Sequence, residues 1–285
     1  MGAETSTRTI AAGNGRTVLV IVPHADDLAL FIGGTVALWA ERNWRVVVVR
    51  VTDDAYDSFG LTVEQTVAAN ADEFRRAAAV LGVAEVVELG YATDRLADVS
   101  EVELRERIIR AIRTHRPYAL VGLDQHAQFG EDNQDHVKVA QATDEAWWTS
   151  QFDLHHPEHL ANGLRPHGVF EKWYFGRRVM EVTDVVDVSE TVERKVSAAC
   201  THQTMMHNYF RQLQMQAETG GWTIPPVDDC LRSGDVAPVL GPLVRAGTAR
   251  TGERYGLAFA EEFRIVTFGG LDGLLHRLGT PPAGR

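Results

Sequence analysis

The sequence predicts an α/β fold in which a mostly parallel sheet carries helices on both faces. Short apolar runs rich in β-branched residues, such as "TVLVIV" (17–22) and the core of "WRVVVVRVTD" (44–53), are typical of strands buried on both sides of a parallel sheet. Between them, "GGTVALWAERN" (33–43) has helical spacing. A strand–helix–strand unit of this kind forms a right-handed crossover. With 285 residues, 45% of them hydrophobic, the chain can bury a core large enough for one elaborated domain.

The alternation continues through the first half of the chain. It comprises helices over 63–82, 99–117 and 137–148, and strands over 83–90 and 118–124. Gly82 stands where a helix C-cap is expected, and Ser100 with Glu103 three residues later has the spacing of a capping box. These punctuation residues support the helix boundaries and therefore the repeated α/β unit.

The second half is less regular. The pattern predicts one or two strands within 170–189, a helix over 190–206 and an irregular segment over 219–235 that is rich in turn residues. We therefore predict a Rossmann-like three-layer sandwich with a less regular C-terminal elaboration. The predicted single domain covers 17–275, with an α/β core over 17–150 and a substrate-shaping part over 151–275. Residues 1–16 and 276–285 are predicted to be tails.

Composition excludes several classes of partner. The net charge is -11, with 39 acidic and 28 basic residues, which disfavours a nucleic-acid groove or an anionic membrane surface. The two cysteines, Cys200 and Cys230, have no metal-type spacing and indicate a reducing compartment. No apolar run of about 18 residues predicts a membrane span. We expect a cytoplasmic protein without a nucleic-acid partner, and the composition allows a homo-oligomer.

A cluster of ligand-like side chains follows the first strand. His24, Asp26 and Asp27 come directly after the buried run, where ligands gather in open parallel sheets. His24 and Asp27 are three residues apart and can point to one side of a turn, as two ligands of a metal such as zinc, while Asp26 faces a bound water. Two alternatives stay open: an aspartate that caps the following helix, and a phosphate-binding turn formed by "FIGGT" (31–35).

A second polar cluster occupies the equivalent place in a later unit. The stretch "LDQHAQFGEDNQDHVKVAQAT" (123–143) also follows a strand and precedes a helix, so the sheet brings it near the first cluster. His136 is the natural third ligand. Nearby polar residues are His126, Asp132, Asn133 and Asp135. Two such clusters at one edge of a sheet predict a shared metal site. The other histidine-rich stretch, "HHPEH" (155–159), is predicted to be a surface loop.

These residues resemble the PIG-L / LmbE-like family of zinc-dependent N-deacetylases. That family carries an AHPDDE-type motif after its first strand, which appears here as "PHADD" (23–27) with Ala25 for proline and Leu28 for glutamate. Its HPDH-type motif appears as "NQDH" (133–136). Weaker matches extend the resemblance over roughly residues 16–265. They are "DEFRRAAAVLGV" (72–83), "LGYATDRL" (89–96), "IRAIRTHRPYALVGLD" (109–124), "KVSAACTHQT" (195–204) and "YGLAFAEEF" (255–263).

The resemblance implies a role for each matching position. It implies that His24, Asp27 and His136 hold Zn²⁺ or another divalent metal, and that Asp26 is the general base. It also implies a substrate contact for Asp94 and a supporting role for Asp135 behind a ligand. His202 matches a family histidine seven residues after a lysine, which implies a substrate contact or a supporting role, although a histidine on a helix is more often structural.

Two departures from the family pattern affect the expected chemistry. Asn133 stands where the family has a histidine, and an amide can donate a hydrogen bond to an oxyanion but cannot transfer a proton. His126 on the same loop, or Asp26 acting twice, could supply that proton. Asn70 stands where the family often has an arginine, which changes the expected recognition of substrate.

The sequence therefore predicts a zinc-dependent hydrolase that removes an N-acyl group, most simply acetyl, from an amino sugar or a sugar-bearing small molecule. Substrate selection is expected in the second half, where aromatic side chains could stack on a sugar: Trp147, Trp148, Trp173, Tyr174 and Trp222. One alternative is an amidase acting on a mycothiol-type conjugate or a natural-product biosynthetic intermediate. Another is a non-catalytic, Rossmann-like ligand-binding protein, although the chain lacks a glycine-rich dinucleotide fingerprint.

Overall fold

The computed structural model describes residues 5–127, 130–267 and 272–280. The described strands are β1 (Ser6–Arg8), β2 (Thr17–Val22), β3 (Arg45–Thr52), β4 (Glu85–Tyr91), β5 (Ala119–Leu123), β6 (Glu171–Phe175), β7 (Asp184–Asp187) and β8 (Ala260–Thr267). The described helices are α1 (Asp27–Glu41), α2 (Val63–Leu81), α3 (Glu101–His115), α4 (Gln134–Thr149), α5 (Pro157–Ala161), α6 (Val192–Ala199), α7 (Gln203–Thr219), α8 (Pro225–Ser233), α9 (Ala237–Glu253) and α10 (Asp272–Leu278).

The strands form one sheet in the order β1-β7-β8-β6-β5-β2-β3-β4. Strand β8 runs antiparallel to both of its neighbours, β6 and β7, and the other described pairings are parallel. The predicted mostly parallel α/β architecture is confirmed.

Two apolar layers pack against opposite faces of the sheet. Along β2, Val18, Val20 and Val22 belong to one buried cluster, and Leu19 and Ile21 belong to the other. Helices α3 and α4 cover the second face, whereas α1, α2 and the later helices α6 to α9 cover the first. Because successive side chains of a strand point to opposite faces, an uninterrupted apolar run is what a three-layer sandwich requires.

Strand order places the predicted clusters side by side. The chain passes outward from β2 through β3 to β4, and then returns to the other side of β2 to form β5. The carboxyl ends of the adjacent parallel strands β2 and β5 therefore flank the point where the strand order reverses, which is where open α/β sheets bind ligands.

The helix ends confirm the predicted C-cap but not the predicted capping box. Gly82 adopts the left-handed conformation expected of a C-cap, with a φ of 82°. A full capping box does begin a helix, but it is formed by Thr62 and Gln65 on α2. The capping box predicted at Ser100 is wrong, because that side chain makes no cap hydrogen bond although the residue is the N-cap of α3.

The second half contains more regular structure than the sequence predicted. The helix predicted over 190–206 is wrong as one element, because the chain breaks at His202 between α6 and α7. The irregular segment over 219–235 contains α8, which starts with two prolines at Pro225 and ends at Gly234 in a left-handed C-cap. Proline fits the first turn of a helix, so turn residues here mark a helix start.

Both predicted tails carry some structure. Ser6–Arg8 pair with β7 as the edge strand β1, and α10 extends through Leu278. Residues 1–4 and 281–285 lie outside the described residues. Cys200 and Cys230 are free thiols, as expected. None of the helices in the described ranges is long and apolar enough to cross a membrane.

Candidate metal centre and substrate cleft

The two predicted clusters meet at the carboxyl ends of β2 and β5. His24 Nδ1 lies 3.2 Å from His136 Nε2. The Asp27 carboxylate faces both rings, with Oδ2 3.6 Å from His24 Nδ1 and Oδ1 3.4 Å from His136 Nε2. These three side chains are buried, and each offers one ligand atom within 4.8 Å of the others. The predicted ligand set therefore converges on one point.

The hydrogen bonds behind the imidazoles fit a metal site. His24 Nε2 faces Asp135 Oδ2 at 3.4 Å, and His136 Nδ1 faces Glu131 Oε2 at 2.9 Å. If each outer nitrogen donates its proton to a carboxylate, each inner nitrogen presents a lone pair. Two lone pairs that face each other repel unless a cation lies between them, and carboxylate–histidine–metal arrangements have this form.

The charges around the imidazoles also favour a cation. Burial lowers the pKa of His24, but its hydrogen bonds to Asp135 and Asp27 outweigh burial and raise the pKa well above 6.5. Burial likewise lowers the pKa of His136, yet the Asp27 charge brings the net shift upward. The site thus stabilises positive charge, which a divalent metal can supply in place of protons.

Asp26 lies between His24 and Asp27 in the first motif and, although buried, lines a cavity in front of the triad. It is the N-cap residue of α1 but makes no side-chain cap hydrogen bond, so the capping alternative is wrong for this residue. Burial and the neighbouring Asp27 carboxylate raise the pKa of Asp26 to about 8. A bound cation would lower this pKa again by stabilising the carboxylate. An unpaired carboxylate beside a metal position is suited to accept a proton from water.

A cleft of about 680 Å³ opens in front of these residues. Its described lining is Asp26, Asp27, Leu30, Phe31, Asp94, Asp132, Asn133, Gln134, His136, Arg177, Tyr209 and Gln212. Another cavity, of about 570 Å³, is lined by residues at the amino ends of the strands, including Trp44 and Trp173, and none of the predicted metal ligands or catalytic residues lines it. The first cleft is therefore the candidate substrate site.

Asn133 is oriented by the helix that it starts. Its Oδ1 accepts a hydrogen bond from the backbone N–H of Asp135 at 2.8 Å, so it is the N-cap of α4. Because the oxygen of the amide is used in this way, the Nδ2 group is left to donate. This geometry supports the predicted oxyanion contact and leaves the source of the leaving-group proton open.

Asp135 of the second motif connects by hydrogen bonds to the first motif and to the segment that carries Asp94. Besides facing His24, its carboxylate accepts hydrogen bonds from the backbone N–H groups of Asp94 at 2.7 Å and Leu96 at 3.2 Å. Asp94 has a positive φ of 59° and an exposed side chain that lines the cleft. Asp135 therefore positions a histidine and a cleft residue together.

Two other predicted residues are not brought into the cleft. The His126 side chain is exposed and does not line it, and its backbone N–H binds Asp124 Oδ1. Residues 128 and 129 of the same loop lie outside the described residues. His202 is fully buried, and neither of its ring nitrogens has a partner among the described residues. The structure therefore supports neither a proton transfer by His126 nor a substrate contact by His202.

Asn70 is structural in this chain. It is fully buried, and its Nδ2 donates to the backbone oxygens of Asp54 and Asp57. It does not line the cleft, so it does not replace the arginine of the family pattern. Among the described lining residues the arginine is Arg177, which follows β6 and binds Glu131 through its Nε.

Outside the two motifs, four polar side chains at the cleft were not predicted from the sequence: Glu131, Arg177, Tyr209 and Gln212. Glu131 lay within the second cluster, five residues before His136, and its acidity was the available signal. The other three come from the segment after β6 and from α7, whose placement over the site depends on tertiary packing. Nearby carboxylates, Asp26 foremost, raise the pKa of Tyr209, so its phenol stays protonated.

The aromatic residues proposed for sugar stacking do not line the cleft. Trp173 and Tyr174 are buried core residues, whereas Trp148 and Trp222 are exposed elsewhere. Trp147 packs against the cluster beneath α4. The prediction of an aromatic platform from these residues is therefore not supported.

The phosphate-turn alternative is also wrong. Gly34 and Thr35 lie inside α1, just after a break in helical geometry at Ile32. Their backbone N–H groups, which the break frees, donate to the buried carboxylate of Glu261 at 2.9 and 2.8 Å. Lys195 Nζ neutralises that carboxylate at 2.7 Å. The donors that would cradle a phosphate are already satisfied by the protein.

The second histidine-rich stretch does not form a comparable site. His156, Glu158 and His159 have ligand atoms within reach of one another, but His159 is buried and not in a surface loop as predicted. Its Nε2 lies 2.6 Å from Glu106 Oε1 and its Nδ1 lies 3.2 Å from Arg113 Nη1. Both ring nitrogens are therefore engaged with protein groups and offer no lone pair to a metal.

Comparisons with known proteins agree with this site. Residues 19–147 match the family model described as PIG-L, GlcNAc-PI de-N-acetylase. A diacetylchitobiose deacetylase from Thermococcus kodakarensis is 27% identical over 191 residues, which cover 66% of this chain and 70% of that protein. The family and this relative are named as deacetylases, hydrolases of N-acetyl amides, as the resemblance implied.

Solved structures share the fold. The N,N'-diacetylchitobiose deacetylase from Pyrococcus horikoshii, complexed with its inhibitor MPG, superposes with a TM-score of 0.72 at 21% identity, covering 95% of this chain and 88% of that one. GalB, a 4-carboxy-2-hydroxymuconate hydratase from Pseudomonas putida KT2440, has a TM-score of 0.62 at 16% identity, covering 88% and 96%. Because the same fold carries a hydratase, the fold alone does not define the reaction. The segment that is similar to the PIG-L family model holds both motifs.

Proposed function

We propose that this chain is a metal-dependent N-deacetylase that hydrolyses the N-acetyl group of an amino sugar or a sugar-bearing small molecule. The observation that carries the proposal is the convergence of His24, Asp27 and His136 beside the carboxylate of Asp26, which makes no cap hydrogen bond to α1 and lines the cleft. Two histidines and one carboxylate are a common ligand set of catalytic zinc, and they leave room for water and substrate.

Asp26 and Asn133 have different roles in the proposed hydrolysis. When bound, a divalent cation such as zinc would polarise the amide carbonyl and make water more acidic. Asp26 accepts the proton of the attacking water. Asn133, through its free Nδ2 group, donates a hydrogen bond to the carbonyl oxygen as negative charge develops there. Asp26 then returns the proton to the leaving amine.

Tyr209 is a second donor within the same cleft. Tyr209 lines the cleft together with Asp26, and the Asp26 charge is the main cause that raises the pKa of its phenol. The protonated phenol can donate a hydrogen bond either to the oxyanion or to the departing nitrogen. This placement offers a replacement for the donor that the family has at position 133. The carboxylates of Asp94 and Asp132 line the same cleft and favour the positively charged amine product.

The first experiment measures bound metal by elemental analysis in the parent protein and in His24→Ala and His136→Ala. His155→Ala is the matched control, because His155 is exposed and outside the cleft. We expect about one equivalent of zinc or another divalent metal in the parent and the control, and loss of that metal in both cleft variants. No bound metal after incubation with zinc, iron and cobalt salts, with no difference among the variants, would contradict the proposal.

The second experiment measures acetate release from N-acetylglucosamine and N,N'-diacetylchitobiose by the metal-loaded protein. Activity that chelation abolishes and metal restores would support an N-deacetylase. Release of a larger acid from a bulkier amide, with no acetate from either sugar, would instead support the amidase alternative. A protein that binds metal but cleaves no amide would favour a non-hydrolytic role on the same scaffold.

A further inference from the structure

A second groove, of about 360 Å³, adjoins the substrate cleft. The two cavities share Leu30, Phe31 and Arg177 as wall residues. Phe31 packs between His136 and Phe175, with ring centroids 6.5 and 5.8 Å away, so it stands beside the metal-ligand triad. A substrate that occupies the cleft can therefore extend past Phe31 into the groove, which we call the basic groove.

The two cavities differ in charge. Four carboxylates and one cation, the shared Arg177, line the described part of the cleft; the carboxylates are Asp26, Asp27, Asp94 and Asp132. The described lining of the basic groove has four cations, Arg177, Lys195, Arg250 and Arg254, and two carboxylates, Glu261 and Glu262. In a chain with a net charge of -11, this groove is a local excess of positive charge. An anionic substituent is repelled by the cleft and attracted by the groove.

The two carboxylates of the basic groove are already neutralised by protein groups. Glu261 binds Lys195 as well as two backbone N–H groups of α1. Glu262 pairs with Arg254 at 2.8 Å and accepts a hydrogen bond from the Tyr255 hydroxyl. These pairs leave Arg250 as the cation of the groove without an ion pair in the described part of the chain, whereas Arg177 is paired with Glu131 through its Nε.

The two remaining arginines have donors to spare. Arg177 binds Glu131 through Nε, and neither of its terminal nitrogens makes a hydrogen bond within the described residues. Arg250 forms no ion pair with a side chain in the described part of the chain. Planar guanidinium groups with free N–H donors bind carboxylate and phosphate in a bidentate manner.

We infer that the basic groove binds an anionic group of the substrate, a carboxylate or a phosphate ester, while the N-acyl group lies in the cleft. This inference rests on the proposed deacetylase function, because it assigns the substrate class of the same site. The substrate is then an N-acylated amino sugar or related amide that carries an acidic substituent. Arg250 determines specificity by charge and takes no part in the hydrolysis.

The test compares three probes that share one N-acetylated sugar. N-acetylglucosamine is neutral, N-acetylglucosamine 6-phosphate adds a phosphate, and N-acetylmuramic acid adds a carboxylate. Binding is measured by calorimetry and turnover by acetate release, at low and high salt. The variant is Arg250→Gln, and the control is Arg165→Gln, an exposed arginine without an ion pair among the described residues and outside both cavities.

We expect at least one acidic probe to bind more tightly than the neutral probe in the parent protein. Arg250→Gln should weaken binding of that acidic probe roughly three- to tenfold, as for one partly exposed charge-assisted contact, and leave the neutral probe unchanged. High salt should reduce the preference in the parent and have less effect in the variant. Arg165→Gln should behave as the parent does.

Other outcomes separate this inference from the proposed function. Equal binding of all three probes, or an equal loss for neutral and acidic probes in Arg250→Gln, would overturn the basic groove as an anion site. Arg250-dependent binding of an acidic probe without acetate release would support the anion site and contradict the proposed hydrolysis. Hydrolysis of the neutral probe with no Arg250-dependent preference would support the function and overturn the anion site.

Discussion

His202 should make the folded protein lose stability as the pH falls. The ring is fully buried, and both nitrogens lack partners in the described part of the chain. Burial lowers the pKa of His202 from 6.5 to about 4. Below pH 6.5, His202 therefore binds a proton in the unfolded chain but stays neutral in the folded chain until about pH 4, and the free energy of unfolding decreases.

The size of this effect follows from the two pKa values. The difference between the two pKa values corresponds to a total decrease of about 3 kcal/mol in the free energy of unfolding. Of this, about 2 kcal/mol is lost between pH 8 and pH 5. Replacing His202 with leucine removes this contribution, so the variant should lose about 2 kcal/mol less than the parent over that pH range. Because the ring makes no hydrogen bond, the substitution leaves no polar group of this side chain unpaired.

Urea denaturation followed by tryptophan fluorescence at pH 8 and pH 5 measures the difference, with His155→Gln as an exposed control. His155 is exposed in the folded chain, so that control should keep the parent's pH dependence. The other buried histidines titrate equally in parent and variant, and the comparison cancels them. If His202→Leu retains the full pH dependence of the parent, the reasoning from burial is refuted.

Three further predictions concern the site and the packing around it. Glu131→Gln should weaken metal affinity about 10- to 100-fold, because the carboxylate that hydrogen-bonds to His136 is lost. Competition with a chelator measures the affinity, and an unchanged value would show that this hydrogen bond does not support metal binding. Tyr209→Phe should lower kcat about 10- to 100-fold with little change in KM, whereas an unchanged kcat would remove Tyr209 from the chemistry. Gly34→Ala should destabilise the fold by about 1–3 kcal/mol, because a Cβ there would lie 2.7 Å from the Cβ of Val188, which follows β7. Gly247→Ala, at an exposed position of α9 with open space around it, should instead stabilise the fold by about 0.5–1 kcal/mol through helix propensity. Thermal melting of both variants measures the two effects, and equal melting temperatures would contradict the packing argument.

The sheet and the convergence of the two motifs could be predicted from the sequence because local patterns encode them. Uninterrupted apolar runs predicted doubly covered strands, and a polar cluster after each of two strands predicted one shared site. The positions of His24, Asp27 and His136 agree with that prediction. Strand adjacency supplied the geometry without knowledge of the loop conformation.

The remaining parts of the site depend on packing that local patterns do not encode. Tyr209 reaches the cleft from α7, and Arg177 reaches it from the turn after β6, far along the chain from both motifs. Asn70 marks a position where the family pattern suggested substrate recognition, but its amide supports the backbone of a turn. His126 shows the converse, since nearness in sequence to the second motif did not bring its side chain into the cleft.

Strand β8 also constrains the route by which the chain folds. In the part of the chain that the structure describes, it lies between β6 and β7, so residues 260–267 connect β1 and β7 to the rest of the sheet. Until those residues emerge from the ribosome, β6 and β7 each expose an unpaired edge that another chain could pair with. A shortened version that keeps both motifs but ends before residue 260 should therefore aggregate during synthesis, and only chains that include β8 should accumulate in folded form.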